Sequence, residues 1–157
     1  MLMEIRNARQ NDLPLLTRIM VRSFRTAFAD FVSPETMAKN TAEENCLRLL
    51  ESVYQEESTH FLTDGQSGML IWQDQGDAAE IIALHTLPES RGSGLGQELL
   101  TAALEQIGAR PTFLWAFAEN ARARRFYEKN GFSRDGNTRV SEFDEAIEVR
   151  YTNTSAR

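Results

Sequence analysis

The 157-residue chain contains a single cysteine, Cys46, and no apolar run approaching the ~20 residues that cross a bilayer. One thiol cannot form an internal disulfide, so an oxidised secreted scaffold is excluded. Cys46 lies among Asn45, Leu47, Leu49 and Leu50, a pattern that places it on a packed helix face rather than in a nucleophile's setting. Positive charge is also in short supply. Seventeen Lys and Arg against 23 Asp and Glu give a net charge of −6 and a pI near 5.0, a field that repels a phosphate backbone, so no nucleic acid is expected as partner. Met1 to Arg6 is followed by no signal-like stretch, and the chain carries no repeat or low-complexity segment. A cytoplasmic protein with no membrane partner is the expectation. What is abundant is core material: 41% hydrophobic residues and nine Phe suit one domain with one core.

Residues 79 to 97 run an apolar strand into a glycine-rich turn and then a helix. Arg91-Gly92-Ser93-Gly94-Leu95-Gly96 clears side chains from a turn whose N–H groups can face phosphate oxygens, and the following helix adds the positive end of its dipole. The spacing discriminates among phosphate binders. A nucleotidase loop needs Lys then Ser or Thr after its last glycine, where this chain has Gln97 and Glu98. A dinucleotide fingerprint needs a glycine three residues after its second, but from Gly92 that position is Gln97 and from Gly94 it is Leu99. An R-x-x-G-x-G pattern remains, on Arg91, Gly94 and Gly96.

Periodicity organises the rest. The alternation of residues 3 to 8 predicts a first strand, and Asn11-Asp12 a cap for a helix whose apolar face is Leu13, Leu16, Met20, Phe24, Ala27 and Phe28. Ser33-Pro34-Glu35 starts a second helix. Three strands follow at 60–63, 67–73 and 78–87, then the post-glycine helix ending at Gly108, a fifth strand at 112–117, a helix over 120–130 closed by Gly131, and two last strands, from Phe132 and over 146–151. Residues 1–151 are read as one domain and 152–157 as a flexible tail.

Residues 119 to 132 then supply a second motif, N-x-x-A-x-x-F-Y-x-x-x-G-F, matched at Asn120, Ala123, Phe126, Tyr127, Gly131 and Phe132. Together with the glycine loop this closely resembles the GCN5-related N-acetyltransferase (GNAT) superfamily. The resemblance implies an α/β acyl-CoA N-acyltransferase fold: a mixed, mostly antiparallel sheet of about seven strands with about four helices on both faces. It implies acetyl-CoA as donor and direct transfer of the acetyl group to a primary amine, without a metal. The amine is expected on a small molecule, in a monomer or homodimer. A non-catalytic acyl-CoA-binding module, or an acetyltransferase of protein N-termini or lysines, is the alternative.

By the same resemblance, cofactor contacts fall on Thr86, Leu87, Arg91, Gly92, Ser93, Gly94, Leu95, Gly96 and Asn120. The Thr86 and Leu87 amides would continue the sheet onto the pantetheine. Arg91 has a competing surface partner in Glu89, and Asn120 a competing role as helix cap. Arg122, Arg124 and Arg125 read as a solvated helix face, with one of them meeting a phosphate as the other possibility. Tyr127 is the expected acid for the departing thiolate, a phenol protonated at neutral pH with a pKa near ~10. Glu80, eleven residues before Arg91, is the expected base, with His85 as rival. Strict alternation puts these two on opposite faces of their strand unless a bulge intervenes.

Overall fold

A computed structural model describes residues 4–141 and 146–153. Seven strands form one sheet: β1 (Arg6–Asn7), β2 (Thr59–Thr63), β3 (Gly68–Asp74), β4 (Ala79–Thr86), β5 (Thr112–Phe117), β6 (Ser133–Val140) and β7 (Ile147–Asn153), in the spatial order β1-β2-β3-β4-β5-β7-β6. Neighbours are antiparallel except β4 and β5, which run parallel. The helices are α1 (Leu13–Ala27), α2 (Pro34–Asn40), α3 (Glu43–Tyr54), α4 (Leu95–Ile107) and α5 (Ala121–Lys129), so the mixed α/β fold expected from the sequence is present. None of the described helices is long and apolar enough to cross a membrane.

Side-chain alternation along β3 sorts the core into two layers. Met69 and Ile71 meet Leu13, Leu16, Ile19 and Leu50 of α1 and α3 on what we call the front face. Leu70 and Trp72 meet Leu95, Leu99, Leu100 and Ala103 of α4 on the back. The back layer continues across the sheet to Leu114, Ala116, Val149 and Tyr151, with Phe126 and Tyr127 of α5 packed against it. At Gly68 the contact between α4 and the sheet is close: a Cβ built there lies 2.8 Å from both Leu95 Cδ2 and Leu99 Cδ1.

Three local expectations change. The second helix divides, because Thr41 turns both its N–H and its hydroxyl onto the Met37 carbonyl and closes α2, after which the extended Ala42 starts α3. Cys46 sits inside α3, buried, with its thiol pushed up by desolvation and donating to the Asn40 carbonyl, as packing requires. Asp12 does not cap α1; its carboxylate accepts from the Arg9 N–H and both guanidinium nitrogens of Arg6. Finally, β7 extends past Tyr151, with Thr152 and Asn153 paired to Phe113 and Thr112, while 154–157, the rest of the expected tail, lie outside the described residues.

Candidate active site

The parallel pairing of β4 with β5 covers only Ala79–Ile81 against Thr112–Leu114. Beyond it β4 stays paired to β3 and β5 to β7, but not to each other. This splay opens a cleft of about 1590 Å³ whose walls are β4, β5, the glycine turn and α5, with the C-terminal part of α1 over its front.

Backbone register shows what the open edge of β4 presents. Leu87 gives its N–H to the Ser67 carbonyl at 2.8 Å and accepts at its own carbonyl from Ser90. Its side chain packs in the front core. Leu87 is therefore no cofactor donor, a correction to the sequence expectation. Because hydrogen-bonding direction alternates along a strand, Thr86 and Leu84 turn their amides the other way, into the cleft. Both residues line the cleft; Leu84 was missed, and only the register reveals it.

The turn itself is built as an anion cradle. Gly92 and Gly94 adopt φ of +81° and +88°, and a Cβ on either would meet nothing within 4 Å, so they leave open space in front of a left-handed backbone. Gly94 caps α4, and the N–H groups of Gly96 and Gln97 follow in its first turn, where no preceding turn supplies acceptors. Leu95 is buried in the core, 2% exposed, and its N–H is turned to the Ser93 hydroxyl at 3.4 Å. Ser93 departs from expectation: both its N–H and its hydroxyl turn back to the Ser90 carbonyl, so it shapes the loop and does not line the cleft.

Arg91 does not pair with Glu89, which Arg22 holds at 2.9 Å. Its guanidinium is instead held below its usual pKa by desolvation and by the charge of Arg122, so the two cations face one ligand space. The helical arginines thus separate: Arg122 lines the cleft, while Arg124 donates to Ala118 O and Tyr151 Oη and anchors α5 to β7. Two neighbouring cations and a turn of amides fit a pyrophosphate.

Asn120 caps α5 through Oδ1, which accepts from the Ala123 N–H at 3.1 Å, leaving its amide nitrogen at the cleft. Tyr127, half-buried on the α5 wall, makes edge contacts with Phe126 and Phe132. Desolvation pushes its phenol above the usual value, and among the described residues nothing hydrogen-bonds its hydroxyl.

Across the cleft, β4 carries a bulge. Ile71 pairs with Ala83 and Trp72 with Ile81, so Ile82 has no partner and is 45% exposed. Ile81 and Leu84 both face the back core, whereas Ala83 faces the front. The alternation resets, and Glu80 and His85 share the front face. Glu80 accepts from Gln75 at 3.2 Å and is raised by desolvation, a shift opposed by Arg139. His85 Nδ1 lies 3.1 Å from Ser23 Oγ of α1, and burial lowers its pKa to about 4, so the ring is neutral at pH 7. Arg139 is bound to Glu148 at 2.8 Å and stacks 4.2 Å over Trp115.

Residues 26–132 match the acetyltransferase (GNAT) family model. The chain is 30% identical over 139 residues to an uncharacterized N-acetyltransferase of Archaeoglobus fulgidus, covering 84% of this chain and 94% of that protein. It is 39% identical over 62 residues to a protein of Mycobacterium tuberculosis named a probable N-acetyltransferase, 40% of this chain but only 36% of that relative's length. The fold superposes on the PaiA N-acetyltransferase of Thermoplasma acidophilum, solved in complex with coenzyme A, with a TM-score of 0.71 at 23% identity over 94% of this chain and 98% of that one. The chain therefore belongs to the GNAT family of acetyltransferases, acyltransferases that take their acetyl group from acetyl-CoA.

Proposed function

We propose that this chain N-acetylates a primary amine on a small molecule by direct transfer in a ternary complex. One observation carries the reading: a tyrosine hydroxyl with no hydrogen-bond partner among the described residues and a desolvated carboxylate line one cleft together with an anion cradle.

Acetyl-CoA, when bound, supplies the acetyl carbon: the amine nitrogen bonds to the thioester carbonyl carbon, the carbon–sulfur bond breaks and the sulfur leaves with its electron pair. The amine arrives mostly as an ammonium with a pKa near ~10.4, so a proton must first be removed. Glu80 accepts it, directly or through one water, and its desolvation brings its pKa nearer to that of the amine. The Leu84 N–H, on the open edge of β4, donates to the carbonyl oxygen as charge builds there. Tyr127 gives its proton to the departing sulfur and the phenolate regains one from solvent, while the nitrogen, still positive after attack, releases its second proton to solvent as the amide forms. Arg91, Arg122 and the loop amides hold the diphosphate, Thr86 and the Asn120 amide the pantetheine arm.

The lone thiol suits a reducing cytoplasm, and the reading requires no partner beyond a monomer or homodimer. Free-thiol release from acetyl-CoA across polyamines, amino acids, amino sugars and lysine peptides tests it. Acceptor-dependent release that collapses in Tyr127→Phe supports the enzyme. Tight coenzyme A binding with no release on any amine would transfer the chain to the class of acyl-CoA sensors.

A further inference from the structure

Front-facing positions of β5 are aromatic: Phe113, Trp115 and Phe117 alternate with the back-core residues Leu114 and Ala116. All three are half-buried. Arginines cap two of these rings, Arg150 over Phe113 at 5.4 Å and Arg139 over Trp115 at 4.2 Å. Phe117 is met instead by Phe28, edge-on at 4.8 Å, which in turn touches Phe24 at 4.6 Å. The front of the cleft thus ends in a phenylalanine wall drawn from α1, the residue after it and β5.

Charge in the same space is unevenly balanced. Among the described residues Glu80, Glu119 and Glu148 line the cleft, and Asp135 is bound to the Arg150 that covers Phe113. Arg139 already binds Glu148, with 14% of the glutamate side chain exposed. Glu80 accepts only a neutral amide. Of the carboxylates on β4, β6 and β7 beside the aromatic wall, Glu80 is the one with no arginine bound to it among the described residues.

Register sets the distance between this carboxylate and the wall. Glu80 is paired with Phe113, and Phe117 lies four residues further along β5, about 13 Å at ~3.3 Å per residue. Trp115, beneath Arg139, lies between the two on the same face, so a ligand that joins them lies along an aromatic strip.

We propose that the acceptor is an arylalkylamine, a primary monoamine on an aromatic body, with its ring against Phe28 and Phe117 and its ammonium toward Glu80. This rests on the acetyltransferase reading and gives it a substrate class. A polyamine carries a second ammonium in place of a ring, and Phe28 and Phe117 offer it no counter-charge, so it would have to pass them to reach the exposed Glu119.

The test compares 2-phenylethylamine, spermidine and an alanine-led peptide, by thiol release and by calorimetry on the protein without acetyl-CoA. We expect 2-phenylethylamine to bind the free protein and to be turned over with the highest kcat/KM. Phe117→Ala should raise its KM roughly tenfold or more with little change in kcat, while Phe117→Leu, which keeps the packing, loses less. Coenzyme A affinity and melting temperature serve as the folding control for both variants. Preference for spermidine or the peptide overturns the inference and leaves the acetyltransferase reading standing. No turnover of any amine, with coenzyme A still bound, overturns both.

Discussion

Glu80 and His85 face the same side of β4 because Ile82 is extruded between them, Trp72 pairing with Ile81 and Ile71 with Ala83. Two candidate bases therefore share one wall, and their environments separate them. His85 is neutral with a pKa of about 4, a weak acceptor of an ammonium proton. Glu80 is raised and therefore the stronger base of its class. Glu80→Gln should lower kcat about 10²-fold and remove the acid limb of the kcat pH profile, whereas His85→Gln should leave that limb in place. An acid limb that survives in Glu80→Gln would move the role elsewhere.

Tyr127 has no protein hydrogen bond to lose among the described residues, so removing its oxygen leaves packing untouched. Tyr127→Phe should retain the wild-type melting temperature and coenzyme A affinity while kcat drops by about 10². Single-turnover thiol release reads this directly, and an unimpaired rate removes the residue from the chemistry.

Glycines 96 and 68 should respond in opposite ways. Gly96 has helical backbone, and a Cβ there would rest 3.7 Å from Phe126, ordinary contact. Gly96→Ala should leave the free protein as stable or up to ~1 kcal/mol more stable, yet weaken coenzyme A binding, because the new methyl group stands where a phosphate must approach. Gly68→Ala should cost about 1–3 kcal/mol by urea unfolding, since Leu95 and Leu99 must move.

Arg91 and Arg122 repel one another until an anion joins them. Arg122→Ala should weaken coenzyme A roughly tenfold at low salt, and by less at high salt where the phosphates are screened. Loss of the 3′-phosphate from the ligand tests whether that group or the diphosphate is the partner.

Protonation of His85 opposes folding. Its pKa is 6.5 in the unfolded chain and about 4 in the fold, so the unfolded state binds more protons between those values. Stability is full above pH 6.5 and declines as pH falls toward 4, on top of the ordinary acid response. His85→Gln should flatten that window in thermal melts run from pH 7 to 4.

How much of this was legible in sequence depends on range. The pyrophosphate loop and the α5 motif are local patterns of backbone freedom and helical spacing, and Gly92, Gly94, Gly96, Asn120 and Tyr127 all line the cleft. Leu87 was misassigned because the direction of a strand amide depends on its partner, here Ser67, and sequence does not print register. The bulge at Ile82 escaped for the same reason: a run of Ile, Ile, Ala and Leu has no polar residue to mark a broken alternation. The aromatic wall needed α1 and β5 to meet across nearly ninety residues, and Phe117 carries no local sign of it.

The short β4–β5 pairing also makes the sheet mechanically divided. Three paired residues, the shared back core, the Asp74–Arg110 ion pair and the Phe28–Phe117 contact join one half, β1 to β4, to the other, β5 to β7. A ligand that takes the Leu84 and Thr86 amides on one side and the α5 groups on the other acts as a clasp between two plates hinged at the back. Occupancy then stiffens the whole sheet, and slowed hydrogen exchange at Leu84 and Thr86 would register the clasp closing before any bond is broken.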